Sequence, residues 1–204
     1  MPSRSVSVGW GEASISRAAA QVGLPVVLKV ESPDIPHKTE AGVLRLGLKS
    51  EAEVRTAYAE VMRNAQAVSP APRITGVLVQ PMVPQGTEIM VGARVDPQFG
   101  PMVVVGLGGI FVELLKDTAV RLAPVGVDEA RRMLGELRAQ RALQGFRGAE
   151  PVDLQRLAEV VARISELADD QRGRMTELDV NPLICAGERI IAVDALIARP
   201  AAKP

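Results

Sequence analysis

The segment PVVLKVESPDIPHKTEAG, residues 25–42, changes character twice. Its first six residues, PVVLKV, are an apolar, β-branched run that predicts a buried strand. Pro33 and Pro36 then interrupt it, because proline brings no N–H to a strand ladder. Strand character returns at Val43, where VLRLGL (43–48) alternates apolar and polar. Between the two strands lies a polar loop holding Ser32, Asp34, His37, Lys38, Thr39, Glu40 and Gly42, and His37 is the only histidine of the chain. Loops held by strands often bear sites.

Residues 11–22 suit a helix on the N-terminal side of this unit. SEAEVRTAYAEVMRNA (50–65) predicts an amphipathic helix opened by a capping box of Ser50 and Glu53, and RITGVLVQ (73–80) a further buried strand. After PMVPQG come TEIMVGARVD (87–96), the turn DPQFGP and MVVVG (102–106), a hairpin joined by proline and glycine chemistry. A glycine loop follows, then TAVRLAP (118–124) as a strand, a helix from Asp128 to about Leu143, and a longer helix within 151–170. The chain closes as strand, turn, strand: MTELDVNPLIC, AGER, IIAVDALI. Strands arriving in hairpins, with helices in separate blocks, predict an α+β fold with largely antiparallel sheets.

With 204 residues, 47% of them hydrophobic, and a mean hydropathy of +0.14, the chain can bury a substantial core. Lys+Arg and Asp+Glu both total 24, so the net charge is zero and no basic footprint for nucleic acid or an anionic membrane exists. Aromatic residues make up 2%, which removes the stacking platforms of single-strand binders. A small-molecule or protein partner is expected instead. Cys185 is the sole cysteine, which excludes an intrachain disulfide, fits a reducing, cytoplasmic setting, and reads as a small strand residue. MPSRSVSVGW lacks the apolar stretch of a secretory signal, and the longest uncharged apolar run, PMVVVGLGGIFV (101–112), is too short to span a bilayer.

Three groups of residues carry candidate chemistry. Lys29 sits between Leu28 and Val30, where it either snorkels from a sheet edge or offers its ammonium to an anion. His37, Lys38 and a backbone turn at Gly42 can surround a phosphate, although a loop histidine is also commonly just solvated. In ELDVNPLI, period-two alternation puts Glu177, Asp179 and Asn181 on one strand face, and a short hairpin returns Asp194 beside them. Those oxygens suit a hard cation such as Mg²⁺, or form an ordinary polar strand face. GLGGIFVE (106–113) has Phe111 where the dinucleotide fingerprint needs its third glycine, so Gly108, Gly109 and Glu113 form either a phosphate loop or a tight turn.

Taken in order, PVVLKVESPDIPHKTEAGVLRLGL, VLVQPMVPQGTEIMVGARVDPQFGPMVVVGLGGIFVELLKD, VRLAP, ELDVNPLI and AVDA resemble the ATP-grasp domain of NDP-forming acyl-CoA synthetases, relatives of succinyl-CoA synthetase β subunits. The resemblance runs from about Gly23 to Ile197. It implies two ATP-grasp lobes, residues 1–80 and 81–204, with Mg²⁺-ATP bound between them. By the resemblance, Lys29 binds nucleotide phosphates, Ser32 belongs to the nucleotide-binding residues, and the strand end carrying Val79, Gln80 and Met82 is the adenine hinge. Glu88 faces the nucleotide, and Asp179, Asn181 and Asp194 hold Mg²⁺. His37 matches a loop histidine that carries the phosphoryl group in ADP-forming acetyl-CoA synthetases.

The chain departs from that pattern in having Ala41-Gly42 where many relatives have two glycines. It also shows no CoA-binding domain, so the resemblance implies a β-type subunit or domain that works with a CoA-binding, acyl-CoA ligase partner. A different class is also open: similar domains occur fused to protein acetyltransferases as regulatory, effector-binding modules.

Overall fold

The computed structural model describes residues 6–8, 10–35, 38–108, 117–145 and 150–200. They fall into two compact units, Met1–Met82 and Val83–Pro204.

In the first unit, the strand expected from PVVLKV is β2 (Val26–Glu31), and VLRLGL supplies β3 (Leu44–Leu48). With β1 (Val6–Val8) and β4 (Gly76–Pro81) they form a sheet in the order β1-β4-β2-β3, every ladder antiparallel. The three-residue β1 has too short a pattern to announce itself in sequence. Helices α1 (Glu12–Val22) and α2 (Glu51–Gln66) bury matching stripes: Ile15, Ala18 and Ala19 from α1, and Val54, Ala57, Val61, Met62 and Ala65 from α2. These pack with Val26, Leu28, Val30, Val77 and Val79, which project from one face of the sheet. Each fully buried Leu or Val contributes about 1.5–3 kcal/mol relative to exposure. The capping box at α2 is modified. Ser50 Oγ accepts the Glu53 N–H at 3.2 Å, but the Glu53 carboxylate reaches one residue further back, to the Lys49 N–H at 2.7 Å.

The second unit is built on β5 (Thr87–Asp96), β6 (Gly100–Leu107), β7 (Thr118–Leu122), β8 (Glu177–Ala186), β9 (Arg189–Ala192) and β10 (Ala195–Ala198). The sheet order is β10-β8-β5-β6-β7, with β9 also on β8, and again each ladder is antiparallel. Helices α3 (Val127–Glu136) and α4 (Leu154–Asp170) cover one face. Ile89, Val91, Ala93, Val103, Val105, Leu178 and Val180 point into that core beside Met133, Leu134, Leu157 and Val161. Ser165 is fully buried there; its hydroxyl accepts the Val125 N–H at 2.9 Å and donates to the Ala162 carbonyl at 2.7 Å. The architecture is α+β with antiparallel sheets, as expected.

Two element boundaries differ from expectation. The helix predicted to reach Leu143 stops at Glu136, and a 3₁₀ turn (Gln140–Gln144) follows. Asp117, outside the helix, takes the N–H groups of Arg138 and Ala139, both at 2.8 Å, donors that a continuing α-helix would give to its own carbonyls. The final strand is split into β9 and β10. Pro182 on β8 offers no N–H to a continuous ladder, and the gap is bridged by Asn181 N–H to the Asp194 carbonyl at 3.2 Å and Val193 N–H to the Pro182 carbonyl at 3.0 Å. Among the described residues no helix is long and apolar enough to cross a membrane.

Candidate functional site

Strand alternation sorts the candidates of the first unit. Val26, Leu28 and Val30 face the helices, so Lys29 projects from the opposite face of β2, where its cross-strand neighbours are Leu78 on β4 and Leu44 on β3. Lys29 is only 6% exposed, so its aliphatic stem is covered even though the residue lies off the helix-packed core. A lysine ammonium is a compact point charge, which suits a phosphate.

The expected hinge residues separate by the same rule. Val79 lies on the helix side, fully buried, and pairs with Val6 and Leu28. Gln80 stands opposite Val27 and shares Lys29's face. The Met82 N–H is committed to the Pro25 carbonyl at 2.9 Å. Of Val79 and Gln80, the Gln80 side chain is the one on the lysine side.

The loop after β2 is built by its own polar groups. Ser32 Oγ accepts the Asp34 N–H at 3.1 Å, and Ile35 is buried at 3% exposure. On the return, Lys38 O accepts the Val43 N–H and Thr39 O the Gly42 N–H, each at 3.0 Å. Gly42 has a φ of 65°, a conformation that favours glycine, and a Cβ there would lie 2.9 Å from Asn64 Nδ2, so the Asn64 side chain would have to shift. His37 lies outside the described residues.

In the second unit the face away from α3 and α4 carries the polar candidates. Register aligns Leu196, Asp179, Gly92, Val104 and Val120 in one row across the sheet. Asp179 Oδ1 is buried and, among the described residues, has no hydrogen-bond partner. Burial pushes its pKa above the ordinary carboxylate range, and the negative charges of Glu177 and Asp194 push it the same way. Asn181 is exposed next along β8, and its N–H donates to the Asp194 carbonyl, which sets the two backbones side by side. An orphaned carboxylate oxygen among like charges is what a hard cation would satisfy, so these residues fit Mg²⁺. Among the described residues no cluster of three or more His, Cys, Asp and Glu could enclose a metal alone. Mg²⁺ needs fewer, since it is usually held by one or two carboxylates plus substrate phosphates.

Glu88 is exposed at the start of β5, and its carbonyl accepts the Gly108 N–H at 2.6 Å. A Cβ at Gly108 would fall 2.9 Å from Glu88 Cβ, so the entry to the glycine loop is pressed against Glu88. Gly109 and Glu113 lie outside the described residues. Asp117 is 6% exposed, and its carboxylate accepts the backbone N–H groups of Arg138 and Ala139. Asp117 escaped the sequence reading because a lone aspartate before a strand has no spacing partner; its partners lie 21 and 22 residues away.

Residues 9–198 match the family described as an ATP-grasp domain. The chain is 39% identical over 195 residues to the β subunit of acetate–CoA ligase [ADP-forming] I of Pyrococcus furiosus, covering 96% of this chain and 84% of that subunit. Acetate–CoA ligase [ADP-forming] I of Archaeoglobus fulgidus is 44% identical over 165 residues, 81% of this chain but 24% of that longer protein. Among solved structures, the dinucleotide-forming acetyl-coenzyme A synthetase 1 of Ca. Korarchaeum cryptofilum, in complex with coenzyme A, Ca-AMPCP and HgCl⁺, superposes with a TM-score of 0.92 at 38% identity, covering 98% of this chain and 86% of that one. A second structure of that protein, with coenzyme A and Mg-AMPPCP, has its phosphohistidine segment pointing towards the nucleotide binding site; it matches with a TM-score of 0.78 at 36% identity over 95% of this chain and 85% of that one. Sequence and fold agree: this chain belongs to the ATP-grasp domain family, in the group that contains the β subunits of ADP-forming acetate–CoA ligases.

Proposed function

We propose that this chain is the ATP-binding, phosphoryl-transferring β-type part of an ADP-forming acyl-CoA synthetase, an acid–CoA ligase. The observation that carries the reading is the 39% identity to an acetate–CoA ligase β subunit across 84% of its length. The buried Lys29 and the unsatisfied Asp179 oxygen support it from the chemistry of the residues themselves. The regulatory-module alternative draws no support from the relatives described above.

Lys29 neutralises charge on the nucleotide phosphates. Mg²⁺, when bound, adds charge neutralisation at the phosphate oxygens, and Asn181 and Asp194 with Asp179 are the residues that would hold it. Positioning and charge neutralisation are most of what phosphoryl transfer asks of a protein. His37 is the acceptor: a ring nitrogen forms a bond to the γ-phosphorus while the bond to the bridging oxygen breaks, and ADP leaves with that electron pair. In a CoA-ligase partner, an acid's carboxylate takes the phosphoryl group from the imidazole. The CoA thiolate then displaces phosphate to give the thioester. The matched region is 24% of a longer relative, which supports placing these later steps in a partner subunit or fused domain.

The test is thermal unfolding with and without excess Mg²⁺-ATP. Ligand at about 100 times Kd adds roughly 2.7 kcal/mol, or about 5–11 °C for a chain of this size. Wild type should show that rise and Lys29→Ala should lose it. No rise at millimolar nucleotide, even with a CoA-ligase partner present, would overturn the reading.

A further inference from the structure

β5 is a ten-residue strand, and Gly92 stands in its middle. A glycine there gives the sheet no side chain and is destabilising relative to alanine, so its presence asks for a reason. The glycines near it in the chain each have one. Gly100 takes a φ of 81°, while a Cβ at Gly86, Gly106 or Gly108 would fall 2.5 Å from the Cys185 carbonyl oxygen, 2.9 Å from Thr118 Cγ2 and 2.9 Å from Glu88 Cβ, respectively. Gly92 lies outside the left-handed region and pairs regularly with Asp179 on β8 and Val104 on β6. Among the described residues, the only atoms within 4 Å of a Cβ at Gly92 would be Val104 Cγ1 at 3.1 Å and the Leu178 carbonyl oxygen at 3.4 Å. Gly92 is nevertheless buried, so its surroundings shelter it and leave the space above it largely empty.

That space adjoins Asp179. Register sets the two residues directly opposite each other, and both lie on the face away from α3 and α4, since Val91, Ala93, Leu178 and Val180 face the helices. Directly opposed residues of an antiparallel pair have Cβ positions about 4.5–5.5 Å apart. The carboxylate whose Oδ1 is buried and, among the described residues, without a partner therefore belongs to the residue beside the empty position. Mg²⁺ needs such room: it demands octahedral oxygen ligands at about 2.0–2.1 Å and usually keeps several waters, so the space next to a carboxylate that holds it must admit the rest of its shell.

We propose that Gly92 is a specificity-determining residue of the cation site: by withholding a side chain, it leaves beside Asp179 the room that a hydrated divalent cation and its remaining oxygen ligands need. This rests on the reading of Asp179 as a Mg²⁺ ligand. Packing is the competing explanation, in which Gly92 is small only because the stiff, β-branched Val104 leans over it.

The experiment measures the Tm without ligand and the Kd for Mg²⁺-ATP by calorimetric titration on the full chain, with a CoA-ligase partner subunit added where the wild-type chain alone shows no binding. Gly92→Ala should melt within about 4 °C of wild type and bind Mg²⁺-ATP on the order of 10- to 100-fold more weakly. The double variant Gly92→Ala/Val104→Ala removes the 3.1 Å contact and should stay as weak a binder; it also carries the test if Gly92→Ala alone fails to fold. In an Asp179→Asn background, Gly92→Ala should weaken binding by less than about twofold further, because both changes act on the same cation. Wild-type affinity in Gly92→Ala overturns the proposal. So does recovery of affinity in the double variant, which assigns the glycine to Val104 packing, or a full additive loss in the Asp179→Asn background, which separates Gly92 from the cation. A wild type that binds ATP equally well in Mg²⁺ and in EDTA overturns the cation reading of Asp179 and this inference with it, while leaving the nucleotide site standing. A wild type that binds no nucleotide even with the partner overturns the proposed function itself.

Discussion

The N–H of Asn181 donates to the carbonyl of Asp194 at 3.2 Å across the gap that Pro182 leaves in the β8 ladder. That contact is made by the backbone, so it survives replacement of either side chain. Asn181→Ala and Asp194→Ala should therefore unfold within about 2 °C of wild type without nucleotide, given that surface substitutions generally stay within ~0.5 kcal/mol. Both should lose most of the Mg²⁺-ATP-induced rise in Tm. Thermal shift with and without Mg²⁺ checks this, and a full nucleotide response in both variants would exclude them as cation ligands.

Asp179 is a cost to the protein when no cation is present. Its buried, unpartnered oxygen and the neighbouring charges of Glu177 and Asp194 all disfavour the ionised form. Asp179→Asn keeps the shape and removes the charge, so the variant should melt higher than wild type at neutral pH in the absence of Mg²⁺-ATP, by a few degrees. It should also bind Mg²⁺-ATP more weakly. A lower Tm for Asp179→Asn would show that the carboxylate is favourably held.

Gly42→Ala tests the returning turn. The residue sits at φ 65°, which costs an L side chain about 1–2 kcal/mol, and its Cβ would press on Asn64 Nδ2 at 2.9 Å. The variant should lose roughly 1–3 kcal/mol in denaturant unfolding. Asn64→Ala opens space and should relieve the steric share of that loss. A double variant no better than additive would show that only the backbone conformation matters.

The Asp34 carboxyl is held at about 2, first by hydrogen bonds from the Arg73 side chain and backbone. A carboxylate with a depressed folded pKa contributes stability that is fully present above its unfolded value near 3.8 and is lost as pH falls through about 2. The difference in Tm between wild type and Asp34→Asn should therefore be constant from pH 5 to 8 and shrink below about pH 4. Growth of that difference on acidification would contradict the assignment.

Burial pushes the Cys185 thiol up to about 12. Since the thiolate is the nucleophile, thiol reagents at pH 8 should label the native protein only at the rate of its opening, and label it promptly in denaturant. A folded pKa above the ordinary thiol value of 9.0 means that the native state keeps a proton the unfolded chain has lost. Cys185 should then destabilise wild type relative to Cys185→Ala progressively between about pH 9 and 12.

The elements with strong local patterns were legible in advance. β2 and β3 could be placed from PVVLKV and VLRLGL, and α2 from its cap and its apolar spacing. Glu177, Asp179 and Asn181 could be put on one strand face because alternation is a property of the strand itself. The cap of α2 was legible only in part: Ser50 behaves as expected, while Glu53 bonds to Lys49, since which N–H a carboxylate reaches depends on how the chain enters the helix. β1 was not legible, because three residues acquire strand geometry from the neighbour they pair with.

By itself the sequence determined the α+β class, the family, and the residue types from which the site is made, since periodicity, turn chemistry and motif order are local and additive along the chain. Tertiary structure alone decided which backbone groups those residues keep for themselves. Met82 gives its N–H to Pro25, Asp117 stops a helix by taking the N–H groups of Arg138 and Ala139, and Arg73 closes on Asp34. These contacts join residues 21 to 57 positions apart, and no local pattern encodes such a pair: each depends on where two strands or loops come to rest once the cores of the two units have formed.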